Sequence, residues 1–114
     1  MSKLHKEKVS YSTIPRKALY DKNLSAEEKT ILNILCDKIM FSTSQVTRIT
    51  NDDLGKLIGR KYRVISSYIK HLEDRGYIIT NKTTTSWNGQ ASTVRTIELT
   101  FTTVSVVTKD ARNQ

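Results

Sequence analysis

Few residues of this chain are suited to metal, redox or covalent chemistry. Its 114 residues include one cysteine, two histidines, one proline and four glycines. The single cysteine, Cys36, excludes an internal disulfide, and two distant histidines do not supply the ligands of a zinc site. The glycines are spread along the chain and form no phosphate-cradling loop. We therefore expect no catalytic residue, no metal and no cofactor, and a protein that is not an enzyme.

Long apolar runs are absent as well. No wholly apolar stretch exceeds three residues, whereas a membrane span needs about 20, and no apolar stretch of a signal peptide follows the basic N-terminus. The composition, 37% apolar and 26% charged, is that of a globular domain with one small core. We expect a flexible basic arm over residues 1–10, one domain over 11–108 and a frayed tail over 109–114. A cytoplasmic location without a membrane partner or a small-molecule ligand follows as the default.

Positive charge is abundant and unevenly placed. The formal net charge is +8 and the isoelectric point about 9.7, which favours an acidic partner such as nucleic acid or an anionic membrane surface. Residues 1–17 carry five cations against Glu7 alone, and residues 60–70 carry four cations and no acid. The arm lysines, Lys3, Lys6 and Lys8, are expected to follow a phosphate backbone without reading sequence.

Three helices and a short strand are predicted before residue 76. Ser25 and Glu28 form a capping box at the start of a helix over 25–40, with an apolar stripe at helical spacing. A short strand over 46–50 leads to a short helix that Thr50 or Asn51 caps and Gly59 ends. A tight turn then precedes a third helix over 62–75.

The third helix has an apolar side and a polar side. Ile65, Ile69 and Leu72 share the apolar side, and the angle of 100° per residue also places Lys61 near it. Arg63, Ser66, Ser67, Lys70 and Asp74 lie opposite. A β-hairpin over about 77–101 follows, because Asn88-Gly89 is a strong hairpin turn signal. Trp87 beside that turn is either packed or exposed for a partner, and the sequence leaves both open.

The order of these elements predicts an α+β fold, a winged helix-turn-helix of three helices with a C-terminal hairpin wing. A helix fits the major groove of B-DNA, and the residues near its N-terminus reach the base edges. The candidate residues of this recognition helix and the turn before it are Arg60, Lys61, Tyr62, Arg63, Ser66, Ser67 and Lys70. Thr50 and Asn51 are candidate phosphate contacts at the start of the preceding helix. The wing offers Lys82, Trp87, Asn88 and Arg95.

Residues 51–78 resemble the winged helix-turn-helix family. The matching positions are Leu57, Gly59, Ile65, Ile69, Leu72, Glu73, Gly76 and Ile78. The segment from Tyr11 to Lys29 is similar to the N-terminal DNA-binding modules of plasmid and phage replication initiators and related phage regulators. The chain departs from the family pattern at the turn, where Arg60 and Lys61 stand in place of an apolar residue and a Ser or Thr cap.

This resemblance implies sequence-specific binding of double-stranded DNA by a small transcriptional regulator of phage or plasmid type, in the bacterial cytoplasm and associated with the nucleoid. An alternative is binding to a replication origin, in initiation or control of replication. An alternative of another class is a protein-interaction module that uses the winged helix surface. We also expect a homodimer, through the first helix or the C-terminal strand. His71 is expected at the surface or on a phosphate.

Overall fold

The computed structural model describes residues 13–40 and 42–102, and within them four helices precede a two-stranded antiparallel hairpin. The elements are α1 (Arg16–Leu19), α2 (Ala26–Met40), α3 (Asn51–Ile58), α4 (Tyr62–Asp74), β1 (Ile78–Trp87) and β2 (Gln90–Leu99). This α+β order is compatible with a winged-helix-like architecture. The predicted arm with Lys3, Lys6 and Lys8, and the predicted tail over 109–114, lie outside the described residues.

The short α1 precedes the three helices that the sequence analysis predicts. It begins directly after Pro15, whose φ of −64° suits a helix start. Ala18 is fully buried, while Leu19 and Tyr20 are exposed. The small residue of this turn, and not its large apolar neighbours, therefore faces the core.

The capping box at the start of α2 is confirmed. The backbone N–H of Glu28 donates to Ser25 Oγ at 3.1 Å, and the N–H of Ser25 donates to Glu28 Oε1 at 2.8 Å. From there Ile31, Leu32 and Leu35 are fully buried. The helix thus begins and packs as its spacing predicts.

A tight turn over residues 59–61 joins α3 to α4. Gly59 adopts a left-handed φ of 74°, and its N–H donates to the Gly55 carbonyl at 2.8 Å. A Cβ added at Gly55 would lie 2.4 Å from the Arg60 carbonyl oxygen and 3.6 Å from Ile65 of α4. The glycine inside α3 is therefore required chiefly by the backbone of the turn, and only secondarily by the approach of α4.

The hairpin pairs in register from Ile78 with Leu99 to Trp87 with Gln90, and Asn88 and Gly89 form its turn with φ of 52° and 78°. The predicted strand over 46–50 is wrong in extent. Only Thr47 pairs, with Ile97, through two backbone hydrogen bonds of 2.9 Å. The segment that follows leads directly into α3, which Thr50 caps.

The core lies where α2, α3, α4 and the base of the hairpin meet. Its fully buried side chains include Leu35, Leu54, Ile65, Leu72 and Ile97. Cys36 is buried with them, and burial raises the pKa of its thiol to about 11. The core ends at the hairpin base, since every residue from Asn81 to Val94 is exposed.

Candidate nucleic-acid interface

The outward side of α4 presents polar and cationic side chains. Ile65, Ile69 and Leu72 are buried, while Arg63, Ser66, Ser67 and Lys70 are exposed, as the helical spacing predicts. Tyr62 at the first position is 60% exposed. The candidate reading residues of α4 therefore share one accessible surface.

Lys61 differs from its predicted placement near the apolar side. It is the residue before the helix, with extended backbone at φ −76° and ψ 156°, and it is exposed. The helical angle does not apply to a residue outside the helix, so Lys61 joins the outward cations. Among the described residues, neither Lys61 nor Arg63 forms an ion pair.

Arg60 has a partner inside the protein. Its Nε donates to Glu27 Oε2 at 2.7 Å and its Nη2 forms an ion pair with the same oxygen, while the Tyr68 hydroxyl donates to Glu27 Oε1. The hydrogen bonds from Arg60 and then from Tyr68 lower the pKa of Glu27. Arg60 therefore ties the turn to α2, and its guanidinium is turned away from the outward side of α4.

The start of α3 places its two candidate residues differently. Thr50 is the cap, since its Oγ1 accepts from the N–H of Asp53 at 3.0 Å. Asn51 is only 7% exposed, and its Oδ1 accepts from Arg95 Nη1 at 2.5 Å. Arg95 Nη2 also donates to the Ile49 carbonyl at 2.7 Å. The Asn51 side chain is therefore occupied by Arg95, and the predicted phosphate contact of this residue rests on its backbone N–H alone.

The two faces of the hairpin differ in charge. Side chains alternate along each strand, so the register defines an inner face, with the even-numbered residues of β1 and the odd-numbered residues of β2, and an outer face with the others. The inner face carries the buried Ile78 and Ile97 and both hairpin cations, Lys82 and Arg95. Glu98, near the base, is the only charged residue of the outer face.

A cleft of about 580 Å³ separates α4 from the inner face of the hairpin. Its charged lining residues are four cations and one acid, namely Arg48, Lys70, Lys82, Arg95 and Glu73. Residues with a hydroxyl group also line it, among them Tyr62, Ser66 and Thr93. The cleft is therefore a polar, net positive channel, continuous with the outward side of α4.

The single tryptophan, which the sequence left as either packed or exposed, is exposed at the tip of the hairpin. Trp87 is 78% exposed beside the Asn88-Gly89 turn. Its register position is on the outer face, opposite in direction to Lys82 and Arg95. The four candidate wing residues thus do not form one surface: two lie at the cleft and two at the tip.

His71 is not a free surface group. Its Nδ1 lies 2.6 Å from Oε2 of Glu28, a residue only 5% exposed that also accepts from the Ser25 backbone. The side chain of His71 is at the surface, as one of the two expectations had it, and it also links α4 to the start of α2. Pairs so far apart in the chain leave no signal in local spacing.

Sequence reasoning missed Arg48, which lines the cleft. It lies outside the predicted recognition helix and wing, between Thr47, which pairs with β2, and the cap of α3. A single arginine in an irregular segment has no periodicity to mark it. Only the pairing of Thr47 with Ile97 places it beside the hairpin.

Comparison with known proteins gives no relative. No protein-family model matches the chain, no curated protein is significantly similar to it, and no solved structure matches it. Its function is therefore inferred from its own residues. In the ranges 13–40 and 42–102, no helix is long and apolar enough to cross a membrane, and no group of three or more acidic, histidine or cysteine side chains is placed to hold a metal.

Proposed function

We propose that this protein is a winged helix-turn-helix protein that binds double-stranded DNA at specific sequences and acts as a small transcriptional regulator. The supporting observation is the outward side of α4. It combines the cations Lys61 and Arg63, which no described acid neutralises, with small hydroxyl residues at the N-terminal half of a helix. Such a surface can enter a major groove and reach base edges.

The cleft supports the same arrangement. The major and minor grooves of B-DNA are neighbours separated by a phosphodiester strand. With α4 in the major groove, that strand would cross the mouth of the cleft, where Lys70 stands on the helix wall and Lys82 on the hairpin wall. Contacts of this kind fix the position of the protein on the duplex, and base contacts from Arg63 would supply specificity.

The first test is recovery of bound fragments from sheared DNA of the source genome and its mobile elements, at about 150 mM salt. Sharp enrichment at a promoter supports the proposal. Enrichment at a replication origin supports the DNA-binding fold but replaces the regulatory role with one in replication. Binding without enrichment that disappears as salt rises would contradict sequence-specific recognition.

The second test separates base reading from charge. Arg63→Ala is expected to weaken binding to the enriched site by about 1–3 kcal/mol and to relax preference at one base pair. Lys38→Ala, which removes an exposed cation of α2 outside the cleft, is the control and should leave specific binding nearly unchanged. Equal losses on specific and random DNA for Arg63→Ala would show that α4 does not read the bases.

A further inference from the structure

Arg95 is a half-buried cation that no described acid neutralises. Its guanidinium donates to the Asn51 side-chain oxygen and to the Ile49 carbonyl, which are both uncharged acceptors. Its Nε–H has no partner among the described residues and is not fully buried. Burial lowers the pKa of this guanidinium, as expected for a charge that is partly removed from water. An anion brought to Arg95 would therefore supply a counter-charge that the described chain does not.

Lys82 stands directly opposite Arg95 in the hairpin. The register pairs the two residues on the inner face, and both line the cleft. Directly opposite side chains of a strand pair have Cβ atoms about 5 Å apart, and like charges in such a pair repel each other. Lys82 is exposed, so water screens most of that repulsion in the free protein. The pair still presents two cations to the same part of the cleft, where one anion can contact both.

The acid that lines the cleft is engaged elsewhere. Glu73 is the only acidic residue of the lining, and its Oε2 accepts from the backbone N–H and the hydroxyl of Thr80, at 3.3 and 3.0 Å. Glu73 thereby ties the end of α4 to the start of β1. Arg48 and Lys70 line the same cleft and add to its positive potential. The cleft therefore attracts anions, and its hairpin wall holds two cations placed for one of them.

A phosphate group fits this pair of cations better than a carboxylate does. It presents up to three strong acceptor oxygens, so an ammonium and a guanidinium can each take a separate one, and both groups are common phosphate ligands in proteins. Tyr62 and Ser66 of α4 also line the cleft and carry hydroxyl groups that can donate. The volume of about 580 Å³ is within the range of ligand pockets and leaves room for the group to which the phosphate is attached.

We propose that Lys82 and Arg95 together form a binding site for one phosphate group, inside the cleft between α4 and the inner face of the hairpin. The phosphate is that of a DNA backbone or of a free phosphorylated small molecule, since the chemistry that binds them is the same. With DNA as the source, the site rests on the proposed function and adds Arg95 to its contacts. With a free ligand as the source, the site needs no DNA.

The test relocates one cation without changing the charge of the protein. Lys82→Thr combined with Thr83→Lys moves the lysine from the inner face to the outer face, keeps the composition and leaves both exposed positions in β1. The contacts of Arg95 with Asn51 and Ile49 are not touched, so the variant should fold, which its melting temperature checks. Lys38→Ala, an exposed cation of α2 outside the cleft, is the control.

The first arm uses pyrophosphate as the free ligand, titrated by calorimetry at constant ionic strength without DNA. Pyrophosphate should bind the unmodified chain and raise its melting temperature, because it binds the folded state. The relocated variant should bind it about tenfold more weakly, the loss of one charge-assisted hydrogen bond. Lys38→Ala should bind it as the unmodified chain does.

The second arm measures the affinity of the same proteins for a short DNA duplex of random sequence. A loss for the relocated variant in both arms is the expected result. A loss on the duplex alone supports the site with the DNA backbone as its source. A loss on pyrophosphate by a chain that binds no duplex supports the site with a free ligand as its source, and contradicts the proposed function.

Two results would overturn the site. In the first, the relocated variant keeps the behaviour of the unmodified chain towards both probes, which leaves DNA binding through α4 to be judged by Arg63→Ala alone. In the second, Lys38→Ala weakens binding as much as the relocation does, which would show that the total charge attracts the anion and that no site holds it.

Discussion

At the scale of single residues, the two neighbouring acids at the start of α2, Glu27 and Glu28, contact different residues. Glu27 accepts from Arg60 and Tyr68, and Glu28 accepts from Ser25 while contacting His71. Both acids suit the positive end of the helix dipole. The structure adds that the same two carboxylates orient the turn before α4 and the flank of α4, which positions the candidate reading surface.

Asp21 provides a residue-scale prediction about pH. The backbone N–H of Asn23, the Tyr77 hydroxyl and the Arg75 guanidinium donate to its carboxylate, and they lower its pKa from 3.8 to about 2. A lowered pKa in the folded state gives stability that is present above about pH 4 and is lost as the pH falls towards 2. Asp21→Asn should therefore lower the melting temperature most near neutral pH.

The measurement is thermal unfolding of both proteins at about pH 6, 4 and 2. The difference in melting temperature should change little between pH 6 and pH 4 and should shrink mainly between pH 4 and pH 2. Asp74→Asn, which alters an exposed pair with Lys70, is the control for loss of a surface carboxylate and should change little. A difference for Asp21→Asn that stays constant with pH would show that the contacts do not favour the ionised form.

At the scale of elements, the turn between α3 and α4 depends on Gly55. Gly55→Ala should lower the free energy of unfolding by about 1–3 kcal/mol, because the new Cβ meets the Arg60 carbonyl and the backbone must shift. Helix propensity acts in the opposite direction, by about 1 kcal/mol in favour of alanine. Denaturant unfolding measures the net effect.

Two nearby substitutions separate the steric cost of a new Cβ from the conformational cost of replacing a glycine. Gly59→Ala has open space around its Cβ but keeps a left-handed φ, so its cost of about 1–2 kcal/mol is conformational only. Lys56→Ala on the exposed side of α3 should change stability by less than about 0.5 kcal/mol. Stability gained in Gly55→Ala would show that the turn can relax, and that the close approach is not required.

Arg95 adds side-chain contacts that hold the hairpin to the start of α3, beside the buried Ile78 and Ile97 at its base. Arg95→Ala should lower the free energy of unfolding by about 1–2 kcal/mol, because it removes the donors to Asn51 and Ile49 and leaves the buried Asn51 oxygen unpaired. Lys82→Ala, its cross-strand neighbour on the inner face, is the matched control and should leave stability unchanged. Comparable losses for both would mean that charge on the inner face, not the Arg95 contacts, holds the hairpin.

At the scale of the whole molecule, the charge distribution predicts how DNA binding depends on salt. Five exposed cations lie on the proposed surface, and none of them forms an ion pair with a buried acid: Arg48, Lys61, Arg63, Lys70 and Lys82. If each neutralises one phosphate, the slope of log affinity against log salt should be about −4 to −5 for the described surface. Arm lysines that also bind would make it steeper.

Removal of one cation tests this value. Lys82→Ala should make the slope shallower by about 1 on specific and random DNA alike. Titrations by fluorescence anisotropy at several salt concentrations give both slopes. A slope that Lys82→Ala does not change would place the hairpin away from the phosphate backbone.

The sequence by itself determined the elements that depend on near neighbours. The capping box of Ser25 and Glu28, the end of α3 at Gly59 and the turn at Asn88-Gly89 are decided by contacts within a few residues, so local spacing predicts them. The division of α4 into a buried and an outward side follows from the helical repeat alone. The predicted α+β order and most of the outward residues of α4 are therefore readable from the chain.

Only the tertiary structure decided which polar residues are free. Arg60, Asn51, Arg95 and His71 each have a partner on another element, at separations of 33 to 44 residues, and no local pattern encodes such contacts. The same holds for the cleft, whose two walls are α4 and the hairpin, and for the exposure of Trp87. Long-range packing sets these features, since it depends on how the elements meet and not on the residues of any one of them.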